Sequence, residues 1–399
     1  MTDRLLEKVA DQRIAPRIPT VVGLKASLVM FWAQLGSLHA VETVSGARFW
    51  SSWLGQSLCS SDTIGRMHTQ LSASDLRQSL HHVYERLKRN KALPLNLGHA
   101  VVVLDGHESH ASYRRHCSGC LQRIIHSEQG DRIQFYHRHV TLMLLPGALP
   151  GHEPLRLLLD AEPQWPGEDE IATALRLLER ALVHYPRAFD LVLADALYAK
   201  APFFNFLWTR GKHVLVVLKE ERRDLYQDVH GLMALTPSRP GCYRTRSCRW
   251  WDFPDLSSWP QVQPRLRVIR SEETYAVRRQ RTAEVEQQTS DWIWVTTLPA
   301  AQLCTEWAVR LGHQRWDIEN HGFKELVQGW HADHVYKHDA QAIQAFLLMT
   351  LLAYDLYHAF LRLNLKPQIR MRQPQVFWMH LIAAELYAQA SRFFYGPTP

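Results

Sequence analysis

Two short apolar runs each end in an aspartate: Val101-Val102-Val103-Leu104-Asp105 and Leu191-Val192-Leu193-Ala194-Asp195. Runs of this length rich in β-branched residues read as strands buried in a sheet, and the acid that follows is expelled from the core at the strand's carboxyl end. Between them, Glu168 to Tyr185 predicts a helix. Its first turn holds Glu168, Asp169 and Glu170, where the macrodipole favours negative charge, and its apolar face is Ile171, Leu175, Leu178 and Leu182. Arg132 to Leu145 and Leu155 to Asp160 predict further strands, Ala201 to Trp208 a short helix, and Val214 to Lys219 a strand buried on both faces. This alternation predicts an α/β layer with helices packed on a mixed sheet.

The flanks differ. Residues 20–98 read as helical, because Leu76, Leu80, Val83, Tyr84 and Leu87 recur at helical spacing behind Ser72 and Ser74 as cap candidates. Arg77, Arg86, Lys88 and Arg89 fall on the remaining surface of that helix, and Ser60-Ser61-Asp62-Thr63 resembles the cap of a shorter one. Pro94 to Gly98 interrupts the pattern and marks a boundary. From Pro237 to Gln288 helical periodicity fails. There Arg265 to Arg270 is expected to face Thr274 to Arg279 across a Ser271-Glu272-Glu273 turn. Trp292 to Thr297 adds a strand, and two long helices near 302–328 and 339–363 follow. The expected division is a helical segment at 1–98, an α/β domain at 99–363 with a β-rich insertion at about 225–298, and a helical tail at 364–399.

At 399 residues, with 46% hydrophobic and 21% charged side chains, the chain can bury a large core, and collagen-like or wholly disordered classes are excluded. Six unevenly spaced cysteines suit a reducing compartment better than a disulfide framework. The first residues lack an apolar secretory core, and the uncharged stretch Ala340 to Tyr354, followed by Asp355, falls short of the ~20 residues of a membrane span. A cytoplasmic protein without membrane attachment is expected. The net charge of +7 and pI near 9.1 point to a polyanionic partner, nucleic acid first.

A third acid joins the two strand-end aspartates. Glu319 lies in Arg315-Trp316-Asp317-Ile318-Glu319-Asn320, where Trp316, Ile318 and Phe323 can anchor a helix that turns the glutamate to the sheet. Open α/β sheets assemble their sites at the carboxyl ends of strands. Carboxylates converging there suit Mg²⁺, a hard cation with oxygen ligands, and two such ions could activate a water or a 3′-hydroxyl in phosphodiester chemistry. Glu108, close to Asp105, is a decoy, and Glu168 to Glu170 is explained as helix-terminal charge.

Asp105 in VVVLDG, Asp195 with Tyr198 in LVLADALY, and Glu319 in RWDIENHGFKEL resemble the DDE transposases of bacterial insertion sequences, in the branch with a β-rich insertion before the glutamate. The resemblance covers roughly residues 100–360. It implies a ribonuclease H-like fold and DNA transposition by metal-dependent cleavage at element ends and strand transfer. Asp105 and Asp195 would share one Mg²⁺ or Mn²⁺ ion and Glu319 would complete a second. Tyr198 and Arg315 would position phosphate, with help from Lys324. A synaptic homodimer on DNA and end binding by residues 1–98 are also implied. The family signature has a tyrosine three residues before Arg315, where Gly312 stands, and a lysine seven after Glu319, where Leu326 stands. A metal-dependent nuclease of the same fold, without strand transfer, and a domesticated DNA-binding protein are the competing readings.

Two further features carry chemistry. Cys117-Ser118-Gly119-Cys120 has the spacing of a zinc knuckle, and His107, His110, His116, His126, His137 and His139 surround it in sequence. Without a second such pair, two free thiols in a loop are the favoured reading, and any zinc would be structural. The stretch Arg239 to Arg281 holds ten arginines against four acids, a local +6. In it Arg244, Arg246 and Arg249 interleave with Tyr243, Trp250, Trp251 and Trp259. Guanidinium groups neutralise phosphates and aromatic faces stack on unpaired bases, so this segment is a DNA-contact candidate, while its tryptophans serve equally as a small local core.

Overall fold

The computed structural model describes residues 2–128, 130–150, 152–219, 223–279, 284–370 and 372–395. Six helices come first, α1 (Thr2–Leu6), α2 (Thr20–Trp32), α3 (Leu38–Thr43), α4 (Phe49–Leu54), α5 (Ser61–His68) and α6 (Ala73–Arg89). Strands β1 (Val101–Ser112), β2 (Leu121–Ile125), β3 (Arg132–Leu144) and β4 (Leu157–Pro163) precede α7 (Glu170–His184). Then come β5 (Leu191–Ala194), α8 (Ala201–Trp208), β6 (His213–Val217), α9 (Asp224–Leu235), β7 (Arg239–Tyr243), β8 (Arg246–Leu256), β9 (Leu266–Arg278) and β10 (Val285–Thr296). The last helices are α10 (Thr305–Gln314), α11 (Lys324–Trp330), α12 (Ala340–Asn364), α13 (Pro367–Arg370) and α14 (Gln375–Tyr395). The chain divides into two compact units, residues 1–94, 106–185 and 319–399 in the first and 95–105 and 186–318 in the second.

In the first unit, the α6 stripe behaves as its spacing predicts: Leu76, Leu80, Val83, Tyr84 and Leu87 are all buried, and the Ser72 side chain accepts from the Asp75 N–H at the cap. Helix α12 packs on α6, α2 and β4. It is the one helix among the described residues long and apolar enough to cross a membrane, and 61% of its most apolar window is buried inside the protein. Asp355, expected to close that stretch, lies inside it. Burial pushes its carboxyl pKa well up, and it accepts from the Leu158 N–H at 2.9 Å. Strands β2 and β4 pair antiparallel with β3, with a register shift at Leu142/Met143.

A buried ionic network joins α6, β4 and α7. Arg77 reaches Asp160 and Glu162 at 2.9 Å each, Arg176 reaches Glu162 at 2.8 Å, and Arg180 reaches Asp160 at 2.8 Å and Glu162 at 2.6 Å. Arg77 is therefore not the solvated surface charge expected of it. The buried stripe of α7 is also rotated from the predicted face, to Glu170, Thr173, Ala174, Leu177, Leu178 and Ala181. Glu170 faces inward because it ion-pairs with Arg138 and fills the space that a side chain at Gly106 would take, a Cβ there lying 2.4 Å from its carboxyl group.

In the second unit the strand order is β1-β5-β6-β10-β9-β8-β7. β1, β5 and β6 run parallel, and from β6 onward each pairing is antiparallel. The β-rich stretch thus extends the sheet. Its expected hairpin does not form: Ser271-Glu272-Glu273 lies in the middle of β9, which pairs with β10 on one side and β8 on the other. The polar triplet stays in the strand because its side chains are partnered. Glu273 is fully buried, with His313 at 2.6 Å and Arg246 at 2.9 Å, and the Ser271 hydroxyl donates to it at 3.0 Å. The long helix expected near 302–328 is broken, with α10 ending at Gln314 and a π-turn at Glu319–Phe323 before α11.

Candidate functional site

Asp105 and Asp195 stand at the same level on neighbouring parallel strands, Asp195 directly after β5 and Asp105 within β1, which runs on to Ser112 instead of ending at the aspartate as the apolar run predicts. The register runs Val101↔Leu191, Val102↔Val192 and Val103↔Leu193, so each acid stands two residues past the last matched pair. The strands are wholly buried up to Leu104 and Ala194, and the aspartates that come next are half-buried. Asp195 also caps the turn Ala196–Tyr198, its Oδ1 accepting from the Leu197 N–H at 2.8 Å. Arg315, at the carboxyl end of α10, is buried, places Nη1 3.4 Å from Asp105 Oδ2 and lies 3.9 Å over the Trp316 ring. A guanidinium held this way fixes the acid's orientation and lowers the local negative charge.

Glu319 and Lys324 belong to the first unit. Glu319, half-buried, opens the π-turn, and Lys324 begins α11 exposed to solvent. π-turns within helical segments recur at functional sites. Glu108 pairs with Arg123 in two hydrogen bonds, as suits a decoy.

The departures from the family signature have steric causes. A Cβ on Gly312 would stand 2.4 Å from the Trp294 ring, so no tyrosine fits there. Leu326 is buried within α11, where a lysine would need a partner for its charge. Tyr198, expected to position phosphate, is fully buried, its ring 5.2 Å from Phe203.

The arginine-rich stretch is mostly spent on its own sheet. Arg246 is tied to Glu273, Arg249 to Glu272, Arg267 to Asp252 and Arg270 to Asp291. Arg244, exposed at the β7–β8 turn with φ 54°, lies over Tyr243 and has no carboxylate partner among the described residues. Arg281 lies outside the described residues. Trp250 is core: it is buried, donates to the Ser271 hydroxyl at 3.1 Å and lies flat against Gly241. It offers no face to a base. Trp251 is half-buried, its indole N–H donating to the Thr236 carbonyl at 3.1 Å.

Cys117 and Cys120 do not lie idle in a loop. Both face His137 on β3, with each Sγ 3.3 Å from its Nε2. Sequence proximity offers six histidines, and only strand pairing singles out this one. Burial pushes the Cys117 thiol up to about 11.

Asp105 and Asp195 are thus two carboxylates level with each other on adjacent parallel strands of a mixed α/β scaffold. Compared with protein families, the chain matches the transposase DDE domain over residues 99–356 and belongs to that family. The family carries a transposase-type function with DNA as partner and generally uses divalent metal ions. A comparison with curated proteins finds none that matches the chain.

Proposed function

We propose that the chain is a DNA transposase that cleaves element ends and joins them to target DNA, with Asp105, Asp195 and Glu319 as its acid trio. The observation that carries this reading is the register match of Asp105 and Asp195 on adjacent parallel strands, with Arg315 against the first. Glu319 enters through the Arg-x-x-x-Glu motif and its place at the head of a π-turn. The two aspartates offer hard oxygen donors without a soft ligand among them, which fits Mg²⁺ or Mn²⁺. Such ions would activate a water or a DNA 3′-hydroxyl as nucleophile and stabilise the leaving oxygen of a phosphodiester. Arg315 orients Asp105, while Lys324 and Arg244, whose exposure supports this reading, would each meet backbone phosphates. A synaptic homodimer and a cytoplasmic location belong to the same reading.

The test is an assay on DNA carrying the element ends that scores binding, cleavage and joining separately. Asp105→Ala, Asp195→Ala and Glu319→Ala are each expected to keep end binding and lose cleavage, since the acids act in the chemistry and basic side chains supply most affinity. Full cleavage by any of the three removes that residue from the trio. Cleavage without joining by the unaltered protein would make it a nuclease, and binding without either would make it a DNA-binding protein only.

A further inference from the structure

We propose that Cys117, Cys120 and His137 form a zinc site that clamps the turn between β1 and β2 onto β3, apart from the hard-cation chemistry of the acids. These three are a group of metal-ligating side chains among the described residues whose donor atoms all lie within 4.8 Å of one another. The two sulfurs are 3.8 Å apart, far beyond the ~2.05 Å of a disulfide. A tetrahedral zinc with Zn–S bonds of about 2.3 Å holds two thiolates about 3.8 Å from each other, and a sulfur and an imidazole nitrogen about 3.5 Å apart. The observed Sγ–Nε2 separations of 3.3 Å sit within a few tenths of an ångström of that geometry.

The turn itself is built for the purpose. The Cys117 N–H donates to Cys120 Sγ at 3.2 Å, and the Cys120 N–H donates to the Cys117 carbonyl at 3.2 Å, so the backbone closes on the sulfurs as it does around a bound metal. Gly119 packs closely between them: a Cβ there would lie 3.1 Å from Ala340 Cβ at the start of α12, 3.3 Å from the Trp165 ring and 3.6 Å from His137 Cε1, so its neighbours would have to give by a few tenths of an ångström. The metal would therefore seat the turn against α12 as well as β3. Two thiolates and an imidazole are soft and borderline donors, which select zinc over magnesium or calcium, and the three protein donors leave the fourth position to a water. The lean toward two free thiols that sequence spacing favours is reversed by the third donor, which arrives from 17 residues beyond Cys120 through β2–β3 pairing.

The experiment uses the purified full chain. Elemental analysis is expected to find about one zinc per chain, falling at least tenfold in the Cys117→Ser, Cys120→Ser double variant and in His137→Ala. His126→Ala, an exposed histidine on the neighbouring loop, should keep its zinc. Because these ligand variants could misfold, the unaltered protein gives a second readout. After metal removal and Co²⁺ addition it should show a thiolate-to-cobalt charge-transfer band, abolished by one equivalent of Zn²⁺. Unaltered protein from zinc-supplemented cells that holds under a tenth of an equivalent and shows no such band overturns the proposal. Zinc that persists undiminished in the double variant overturns it equally, by placing the metal elsewhere.

Discussion

Two groups of carboxylates in this chain use the same side chains at different depths of burial. On β4, Asp160 and Glu162 are buried and met by three guanidinium groups, from Arg77, Arg176 and Arg180. Within β1 and just after β5, Asp105 has Arg315 at 3.4 Å and Asp195 a backbone N–H at 2.8 Å, both acids half-buried. The first group is electrically satisfied by fixed cations from two helices, which suits a fastener. The second is less deeply buried, which suits a site. Burial, rather than residue type, separates structural acids from candidate functional ones.

The sharpest way to break that contrast is to neutralise one acid of the site and one cation of the fastener. Asp195→Asn should lower cleavage by on the order of 10²–10³-fold or more while leaving the thermal midpoint close to unchanged, because charge arranged for a transition state contributes little to folding. A large fall in thermal midpoint with cleavage retained would reverse the assignment. In the β4 group the opposite is expected. Arg77→Ala leaves Asp160 and Glu162 short of a buried cation and should cost about 3–5 kcal/mol, read as a shift in the denaturant midpoint. A shift under about 1 kcal/mol would show the network to be effectively solvated.

A smaller effect tests the packing of α5 on α12 in the same unit. His68 is wholly buried, stacked on Phe346 with ring centroids 3.7 Å apart, and burial lowers its pKa from 6.5 to about 4. With the folded-state pKa depressed, protons favour the unfolded chain. The contribution is complete above pH 6.5 and declines as pH falls toward about 4, with a slope approaching about 1.4 kcal/mol per pH unit. Midpoints measured across this window should fall less steeply for His68→Gln.

The smallest expected effect separates arginines that hold the sheet from one open to a ligand. Arg244→Ala should reduce the slope of log K against log salt for DNA binding by about 0.9, the amount due to one phosphate that is no longer neutralised, with little change in thermal midpoint. Arg249→Ala, whose partner Glu272 lies directly opposite across β8 and β9, should change stability by roughly 0–1 kcal/mol and leave the salt slope alone. An unchanged slope in Arg244→Ala would remove this turn from the DNA interface.

Local pattern alone determined much of this protein. The apolar runs before Asp105 and Asp195, the stripe and cap of α6, and the Arg-x-x-x-Glu motif depend on neighbours within a few residues, where period and capping chemistry act directly. The family and the candidate acids were legible for that reason. What required tertiary structure were partnerships between residues far apart in sequence. The side chain of Arg77 looks solvent-bound until Asp160 and Glu162 arrive from β4, and Ser271-Glu272-Glu273 looks like a turn until His313 and Arg246 neutralise Glu273 within the strand. Tyr198 and Trp250 look like DNA-facing residues until the core closes over them. His137 is one histidine among six until strand pairing sets it against Cys117 and Cys120. In each case the cost of burying a polar or charged group is decided by a partner that periodicity cannot name, so only the folded chain assigns it.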